Sequence, residues 1–332
     1  MTAAKYSRDG LLVVTGSEDG HARVYDARTD ALLTTLDHGA PVLDARFSND
    51  GRRVVTAGGD GYARLWNPRD GTLLRTFQHG QPVRSASLDR TGTLLVTAGG
   101  RSARLWRVDG APVATLRCTR PVLGAEFSPD WTVVGVFGRD PIARLYSTAT
   151  GKLERSLDQG GQVRSIAFSP QRRLVVTTGA NKTARLWRVA TGKLVHELRG
   201  HRGEVLDAAF SPRALSVATA SADGTARVWN VFTGKLAATV SGHTNLVTDV
   251  TFSPDGNFVA TASSDRTARV WKADDGDLRA LLAGHRESVN SVEFSPDGAA
   301  LITAGDDDTA HIWDPWAQPQ LEPIATFRGP IA

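Results

Sequence analysis

The stretch VLDAAFSPRALSVATASADGTARVWNVFTGKLAATV, residues 205–240, contains the pattern that decides the fold. It holds four short segments rich in Val, Thr, Ala and aromatic residues: VLDAAFSP, SVATASA, TARVWN and LAATV. Each segment alternates roughly between apolar and polar residues, which is typical of strands. Ser-Pro, Asp-Gly and Thr-Gly-Lys separate them, and such residues favour tight turns. The stretch therefore predicts a four-stranded antiparallel sheet.

The tetrapeptide Ala-Arg-aliphatic-aromatic recurs along the chain in eight copies, one of which has His in place of Arg. Its aromatic residues stand 40 to 42 positions apart, at Tyr25, Trp66, Trp106, Tyr146, Trp187, Trp229, Trp271 and Trp313. Similar strand and turn segments surround each copy. One such sheet cannot cover both of its faces, so the copies must stack on one another. A repeat of about 40–45 residues with four strands is a propeller blade.

Eight complete repeats fit between the two ends of the sequence. AAKYS near the start aligns with DARFS at 44–48, and ATFRGP near the end aligns with 197–201. We expect an all-β fold, a β-propeller of eight four-stranded antiparallel blades that forms a single domain over 1–332. The approximate blade bounds are 1–38, 39–79, 80–119, 120–160, 161–200, 201–242, 243–284 and 285–332. The alternative is seven closed blades plus one extra repeat of a longer array.

The motifs Gly-His, V-x-x-x-x-F-S-P-D-G and A-x-S-x-D-x-T-A-R-V-W resemble those of the WD-repeat family, in a bacterial-type version, over essentially the whole chain. The resemblance implies that four side chains pin each blade: a His before the inner strand, a Ser or Thr on the second strand, an Asp in the next turn, and the Trp. Blades six and seven supply the full sets His201, Ser221, Asp223, Trp229 and His243, Ser263, Asp265, Trp271. Burial of an Asp and a His costs little free energy when the two side chains are hydrogen-bonded to each other.

The set of pinning residues is incomplete in the other blades. Blade eight has Gly305 where Ser is expected, and blades two and three carry His38 and His79 in a shorter loop. Blades four and five have no His there, and blade three lacks the turn Asp, with Arg101 nearby. We therefore expect the N-terminal half to be the less stable one.

Composition indicates an ordinary globular chain with a slight excess of positive charge. The 332 residues carry a net charge of +4 and one cysteine, Cys118. A single cysteine excludes an internal disulfide and fits a reducing compartment, so we expect a cytoplasmic protein. Neither a secretory signal nor an apolar membrane span is visible. Seven of the arginines belong to the repeated tetrapeptide, so much of the positive charge is a feature of the scaffold.

A more local cluster of positive charge is expected on the top face, where the loops before the inner strands and between the second and third strands open. We predict that a partner contacts arginines of blades three to five, with apolar residues at the inner-strand entrances as the core of the interface. The candidate residues are Arg84, Arg101, Arg120, Arg139, Arg164, Leu43, Leu123 and Leu206.

The motifs predict binding rather than catalysis. We find no phosphate-binding loop, zinc-ligand spacing or nucleophile elbow, and the run Asp306–Asp308 is interpreted as a hairpin turn. We expect no enzyme activity, no cofactor and no metal. The expected function is that of a monomeric scaffold or sensor module that binds a protein, an acidic peptide or another domain of a longer polypeptide, with no membrane or nucleic-acid partner. Binding of a polyanion such as nucleic acid through the basic side, and a propeller hydrolase, are the alternatives.

Overall fold

The computed structural model of the chain describes residues 1, 3–317 and 322–329. Within these ranges the chain forms 32 β-strands, arranged as eight antiparallel sheets of four strands each. The fold is an all-β propeller of eight blades, so the expected fold class and blade number are confirmed. The described residues form no helix that is long and apolar enough to cross a membrane.

The first of two compact units comprises residues 1–140, 144–154 and 327–332 and holds blades one to three and most of blade four. Each blade consists of four consecutive strands, paired in chain order. The strands of blades one to four are β1 (Ala3–Tyr6), β2 (Leu12–Gly16), β3 (His21–Asp26), β4 (Leu32–Asp37), β5 (Val42–Phe47), β6 (Val54–Gly58), β7 (Tyr62–Trp66), β8 (Leu73–Gln78), β9 (Val83–Leu88), β10 (Leu94–Gly99), β11 (Ser102–Arg107), β12 (Pro112–Arg117), β13 (Val122–Phe127), β14 (Val133–Gly138), β15 (Ile142–Ser147) and β16 (Leu153–Asp158).

The second unit comprises residues 141–143 and 155–326 and holds blades five to seven and most of blade eight. The strands of blades five to eight are β17 (Val163–Phe168), β18 (Leu174–Gly179), β19 (Ala184–Arg188), β20 (Leu194–Leu198), β21 (Val205–Phe210), β22 (Ser216–Ser221), β23 (Thr225–Asn230), β24 (Leu236–Ser241), β25 (Val247–Phe252), β26 (Phe258–Ser263), β27 (Thr267–Lys272), β28 (Leu278–Ala283), β29 (Val289–Phe294), β30 (Leu301–Gly305), β31 (Thr309–Trp313) and β32 (Ala325–Arg328).

The core consists of layers between neighbouring sheets. In the second unit, Ala218 and Ala220 of β22 and Val228 of β23 pack against Val247 and Phe252 of β25. Each is at most 7% exposed. Burying a side chain such as Val or Phe contributes roughly 1.5–3 kcal/mol, so the repeated small and branched residues account for the close stacking of the blades.

A bulge at the start of the inner strand positions several of the candidate binding residues. In blade six, Val205 pairs with Ser221 and Asp207 with Ala220, so Leu206 is left unpaired in a bulge. Similar register shifts occur at the inner strands of blades two to five, seven and eight. A bulge bends the strand and redirects a side chain. The candidate residues that follow this repeated Val, namely Leu43, Arg84, Leu123, Arg164 and Leu206, all take this position.

Candidate functional site

A threonine on the second strand of blade six connects the residues that pin the blade. The Thr219 hydroxyl lies 2.8 Å from Nε2 of His201 and accepts a 2.9 Å hydrogen bond from the indole Nε1–H of Trp229. On the other side of the imidazole ring, Nδ1 lies 3.0 Å from Asp223 Oδ2. A carboxylate only accepts, so Nδ1 carries the proton and Nε2 accepts from the threonine. These four side chains form one continuous network, in which His201, Thr219 and Trp229 are buried and Asp223 is half-buried.

The expected role of Ser221 in this network is therefore wrong, and the same correction applies to Ser263. The Ser221 hydroxyl accepts a 3.1 Å hydrogen bond from the backbone N–H of Asp223, so it supports the turn rather than the ring nitrogens. In blade seven the hydroxyl that meets both His243 and Trp271 is that of Thr261, at 2.8 and 2.9 Å.

The threonine network extends to blades in which the sequence predicted an incomplete set. In every described blade with a Trp in the tetrapeptide, Trp Nε1–H donates to this threonine at 2.8–2.9 Å; the pairs are Thr56–Trp66, Thr97–Trp106, Thr177–Trp187, Thr219–Trp229, Thr261–Trp271 and Thr303–Trp313. His38 and His79 also contact their threonines, but through Nδ1, at 2.7 and 2.9 Å, whereas His201 uses Nε2. In blade eight Thr303 contacts both His285 and Trp313, so the glycine at position 305 does not interrupt the network.

Blades four and five have other residues at the positions of this network. In blade five Gln159 takes the place of the histidine and accepts a hydrogen bond from the Thr177 hydroxyl. In blade four Val136 stands at the threonine position, and the aromatic residue is Tyr146, whose hydroxyl donates to the Arg117 carbonyl. The signal that could have revealed the network is the threonine that recurs two residues before the expected serine.

Burial and hydrogen bonding set the charge states of these networks. Burial lowers the pKa of His201, His243 and His285 below the ordinary value, although each aspartate partner opposes the change. Burial raises the pKa of Asp265, but hydrogen bonds from Thr267, His243 and the Thr244 backbone outweigh it and lower the pKa to about 2. At neutral pH the histidines are therefore neutral and the aspartates charged.

Several loops that carry arginine lie at the top end of the first unit. The backbone N–H of Cys118 donates to the Arg101 carbonyl at 2.9 Å, which attaches the loop containing Arg120 to the turn of blade three. The backbone N–H of Arg139 donates to the Pro121 carbonyl, also at 2.9 Å. Main-chain hydrogen bonds thus connect the segments that hold three of the candidate arginines.

The arginine side chains at this end are exposed and lack acidic partners. The exposed residues are Arg84, Arg101, Arg120 and Arg139. Within the described ranges no carboxylate forms an ion pair with any of them. Asp140, the acidic residue next to Arg139, is paired at 2.9 Å with the tetrapeptide Arg144. The half-buried Leu43 and Leu123 occupy the bulge position on either side of Arg84.

The remaining two candidates, Arg164 and Leu206, lie in the second unit. Both are half-buried. Arg164 Nη2 lies 2.5 Å from Glu204 Oε2, in an ion pair between the inner strand of blade five and the loop before that of blade six. The charge of Arg164 is therefore compensated locally, unlike those of the four exposed arginines.

Carboxylates on the inner strands form contacts that join different blades. In the first unit Arg46 lies between Asp44 and Glu126, at 3.0 and 3.1 Å. In the second unit Asp249 accepts 2.9 Å hydrogen bonds from the backbone N–H of Val250 and of Val292. Burial raises the pKa of Asp207 well above its ordinary value, and the neighbouring Asp249 raises it further. These contacts give the carboxylates of the inner strands a structural role.

One group of side chains in the described part of the chain has the composition of a metal site. Ligand atoms of His285, Asp307 and His311 all lie within 4.8 Å of one another. His285 Nδ1 is already 3.0 Å from Asp307 Oδ1, and Nε2 of the same ring is 2.8 Å from Thr303. His311 stands where other blades have arginine, and its two ring nitrogens contact threonine hydroxyls at 2.9 and 3.1 Å. The group is the pinning network of blade eight with its own hydrogen bonds.

Comparisons with known proteins agree with the repeat architecture. The family model described as the IFT122 first beta-propeller matches residues 1–272, and the model described as WD domain, G-beta repeat, matches residues 276–314. A similar solved structure is the crystal structure of the computationally designed Ika8 protein, which is 25% identical and has a TM-score of 0.84 over 94% of this chain and 95% of that chain. No curated protein matches the sequence. The chain belongs to the WD-repeat β-propeller family, whose propellers commonly serve as protein-interaction scaffolds.

Proposed function

We propose that the chain is a non-catalytic interaction platform that binds an acidic protein or peptide at the top end of its first unit. The observation that carries this proposal is the set of four exposed arginines without acidic partners, Arg84, Arg101, Arg120 and Arg139; main-chain hydrogen bonds join the segments that hold the last three. These main-chain hydrogen bonds fix the backbone of the segments, so a partner has less to order on binding.

The chemistry of this surface suits a partner with carboxylates or other anionic groups around an apolar anchor. Guanidinium groups bind carboxylates through paired hydrogen bonds. Leu43 and Leu123 offer partly exposed apolar surface at the neighbouring strand entrances, where an anchor residue would become desolvated. Uncompensated charge at the rim speeds association and sharpens specificity more than it adds affinity.

The proposal extends to the setting in which the platform works. An Arg- and Ala-rich, Lys-poor composition suits a GC-rich bacterial genome, and the single cysteine suits the cytoplasm. The acidic partner is then either a separate protein or another domain of a longer polypeptide, in which the platform acts as a sensor. We propose that the platform itself is monomeric.

The test compares two triple variants of equal charge change. Arg84, Arg120 and Arg139 are replaced by Glu in the first variant, and Arg52, Arg69 and Arg90, exposed residues of turns at the opposite end of the first unit, in the second. Each protein is immobilised and exposed to lysate of the source cells, and captured proteins are quantified by mass spectrometry. We expect a partner captured by the wild type and by the opposite-end variant, but reduced at least tenfold with the top-end variant.

Two results would count against the proposal. Equal capture by both triple variants would exclude the top end as the binding surface. Tight binding of duplex or single-stranded nucleic acid by the wild type at low salt, lost steeply as salt rises, would instead favour the polyanion alternative.

A further inference from the structure

The outer face of blade three carries hydrogen-bond donors that face one another across two paired strands. In the pairing of β11 with β12, Ser102 lies opposite Arg117 and Arg104 lies opposite Thr115. Alternate residues of a strand point to the same side of the sheet, so these four side chains share one face. Directly opposite side chains stand about 5 Å apart at their Cβ atoms, so the four side chains form a compact group of donors.

These residues line an open pocket of about 280 Å³. The lining residues are Arg101, Ser102, Arg104, Thr115, Arg117 and Cys118. Three of them are cationic, two carry hydroxyls, and none carries a carboxylate. No described residue forms an ion pair with any of the three arginines.

Arg104 is fixed in this pocket and keeps an unused donor. Its Nη1 donates to the Gln78 carbonyl at 3.1 Å, and its guanidinium carbon lies 5.8 Å from the centroid of the Trp106 ring. Its buried Nε has no hydrogen-bond partner. Arg104 therefore has a carbonyl contact but no carboxylate partner, and its positive charge is not compensated by a described residue.

The turn of blade three explains why Arg104 has no carboxylate partner. In blades two and four the turn aspartate pairs with the tetrapeptide arginine, as in Asp60–Arg64 at 2.7 Å and Asp140–Arg144 at 2.9 Å. In blade three Gly99 pairs directly with Ser102, so the turn contains only Gly100 and Arg101. The shortened turn removes an acidic residue and adds a basic one.

Blade five shows how the same arrangement is neutralised from within. Arg185 lies opposite Glu197 in the strand pairing, as Arg104 lies opposite Thr115. Glu197 there bridges two arginines, Arg185 at 3.0 Å and Arg199 at 2.7 Å. By position along the strand, Arg199 corresponds to Arg117 of blade three. Blade three thus has the two arginines without the carboxylate that joins them.

We propose that the blade-three pocket binds a phosphate group, whose oxygens take the place that Glu197 takes in blade five. A phosphate dianion offers more charge and more acceptor atoms than one carboxylate, which suits three guanidinium groups and two hydroxyls. The phosphate is either free in solution or carried by a phosphorylated peptide. The pocket shares only Arg101 with the top-end surface, so this binding does not depend on the function proposed above.

The test uses Cys118, the single cysteine of the chain and a lining residue of the pocket. The rate of Cys118 alkylation by iodoacetamide is measured at fixed pH in inorganic phosphate and in chloride of equal ionic strength. A phosphoserine peptide and its unphosphorylated form are compared in the same assay. Thr115→Glu places a carboxylate where blade five has Glu197, and Thr239→Glu makes the same change at the corresponding exposed position of blade six, opposite Arg227.

We expect saturating phosphate to slow alkylation of the wild type and of Thr239→Glu at least threefold, and to leave Thr115→Glu unaffected. Arg117→Gln removes one guanidinium without introducing a carboxylate, and it should raise the phosphate concentration needed for half-maximal protection at least fivefold. The proposal therefore stays testable if Thr115→Glu folds poorly. Protection at lower concentration by the phosphoserine peptide would identify a phosphorylated protein as the source, and equal protection would identify free phosphate. Equal alkylation rates of the wild type in phosphate and chloride, or protection that persists in both pocket variants, would overturn the proposal.

Discussion

The Thr219 hydroxyl accepts a 2.9 Å hydrogen bond from the indole Nε1–H of Trp229, and the equivalent bond occurs in five other described blades. The same oxygen meets His201 at 2.8 Å. Thr219→Val would keep the shape of the side chain but leave two buried nitrogens without a partner. We expect a loss of about 3 kcal/mol in the free energy of unfolding, because an unsatisfied buried polar group costs about 1–3 kcal/mol.

Ser221→Ala is the matched comparison for Thr219→Val. It removes a hydroxyl two residues away that accepts one hydrogen bond from the Asp223 backbone, so we expect a loss of about 1 kcal/mol. The midpoints of thermal unfolding of the two variants, together with the hydrogen exchange rate of the Trp229 indole N–H, check this difference. A larger loss in Ser221→Ala would show that the serine is the main connection in the blade.

Acid should destabilise the protein through the buried histidines. Burial lowers the folded-state pKa of His201 and His243, whereas the unfolded state binds a proton at a pH of about 6.5. Below that pH the unfolded state takes up protons that the folded state does not. The free energy of unfolding therefore falls as the pH is lowered, until the pH reaches the lowered folded-state pKa of the histidines. Within this window each histidine contributes up to about 1.4 kcal/mol per pH unit.

Replacing both histidines by glutamine tests this origin of the acid sensitivity. Gln159 of blade five already accepts a hydrogen bond from its threonine in the same place, so glutamine is compatible with the network. We expect the double variant to lose less thermal stability than the wild type between pH 7 and pH 5, as followed by circular dichroism. Identical slopes for the two proteins would show that other groups cause the sensitivity.

Asp207→Asn should stabilise the protein at neutral pH. Burial and the adjacent Asp249 raise the folded-state pKa of Asp207, so holding this carboxyl ionised is unfavourable above its unfolded pKa of about 3.9. Asparagine is neutral at all pH values and can donate to Asp249. We expect a higher unfolding midpoint at pH 7 and little change at pH 4, whereas Asp274→Asn in an exposed turn should change neither. A lower midpoint at pH 7 would contradict the assignment of repulsion between the two aspartates.

The sequence predicted the strand pattern because the repeat and its turns are local signals. The 40 to 42-residue spacing of the tetrapeptide was sufficient for the fold class and for eight blades. The hydroxyl that bridges His201 and Trp229 was misassigned, because Ser221 and Thr219 point to the same side of one strand and sequence spacing cannot tell which one reaches the ring nitrogens.

The surface features were only partly visible in the sequence for a different reason. Arg84, Arg101, Arg120 and Arg139 could be placed at one end from loop order alone, but the ion pair of Arg164 with Glu204 joins different blades. The phosphate pocket depends on the cross-strand register that sets Arg104 opposite Thr115. The sequence shows that the turn after Gly99 is shortened, but it does not show which hydrogen-bond donors lack a partner as a result.

The most direct test of the binding platform is to locate the partner on the protein. Hydrogen–deuterium exchange of the wild type is compared with and without the captured partner, and peptides from both ends of the first unit are followed. We expect slower exchange in the segments 99–102, 118–123 and 138–141, which carry or adjoin Arg101, Arg120 and Arg139, and no change in the opposite-end turns at 49–52 and 90–92. Protection confined to those opposite-end turns, with none at the top end, would contradict the account.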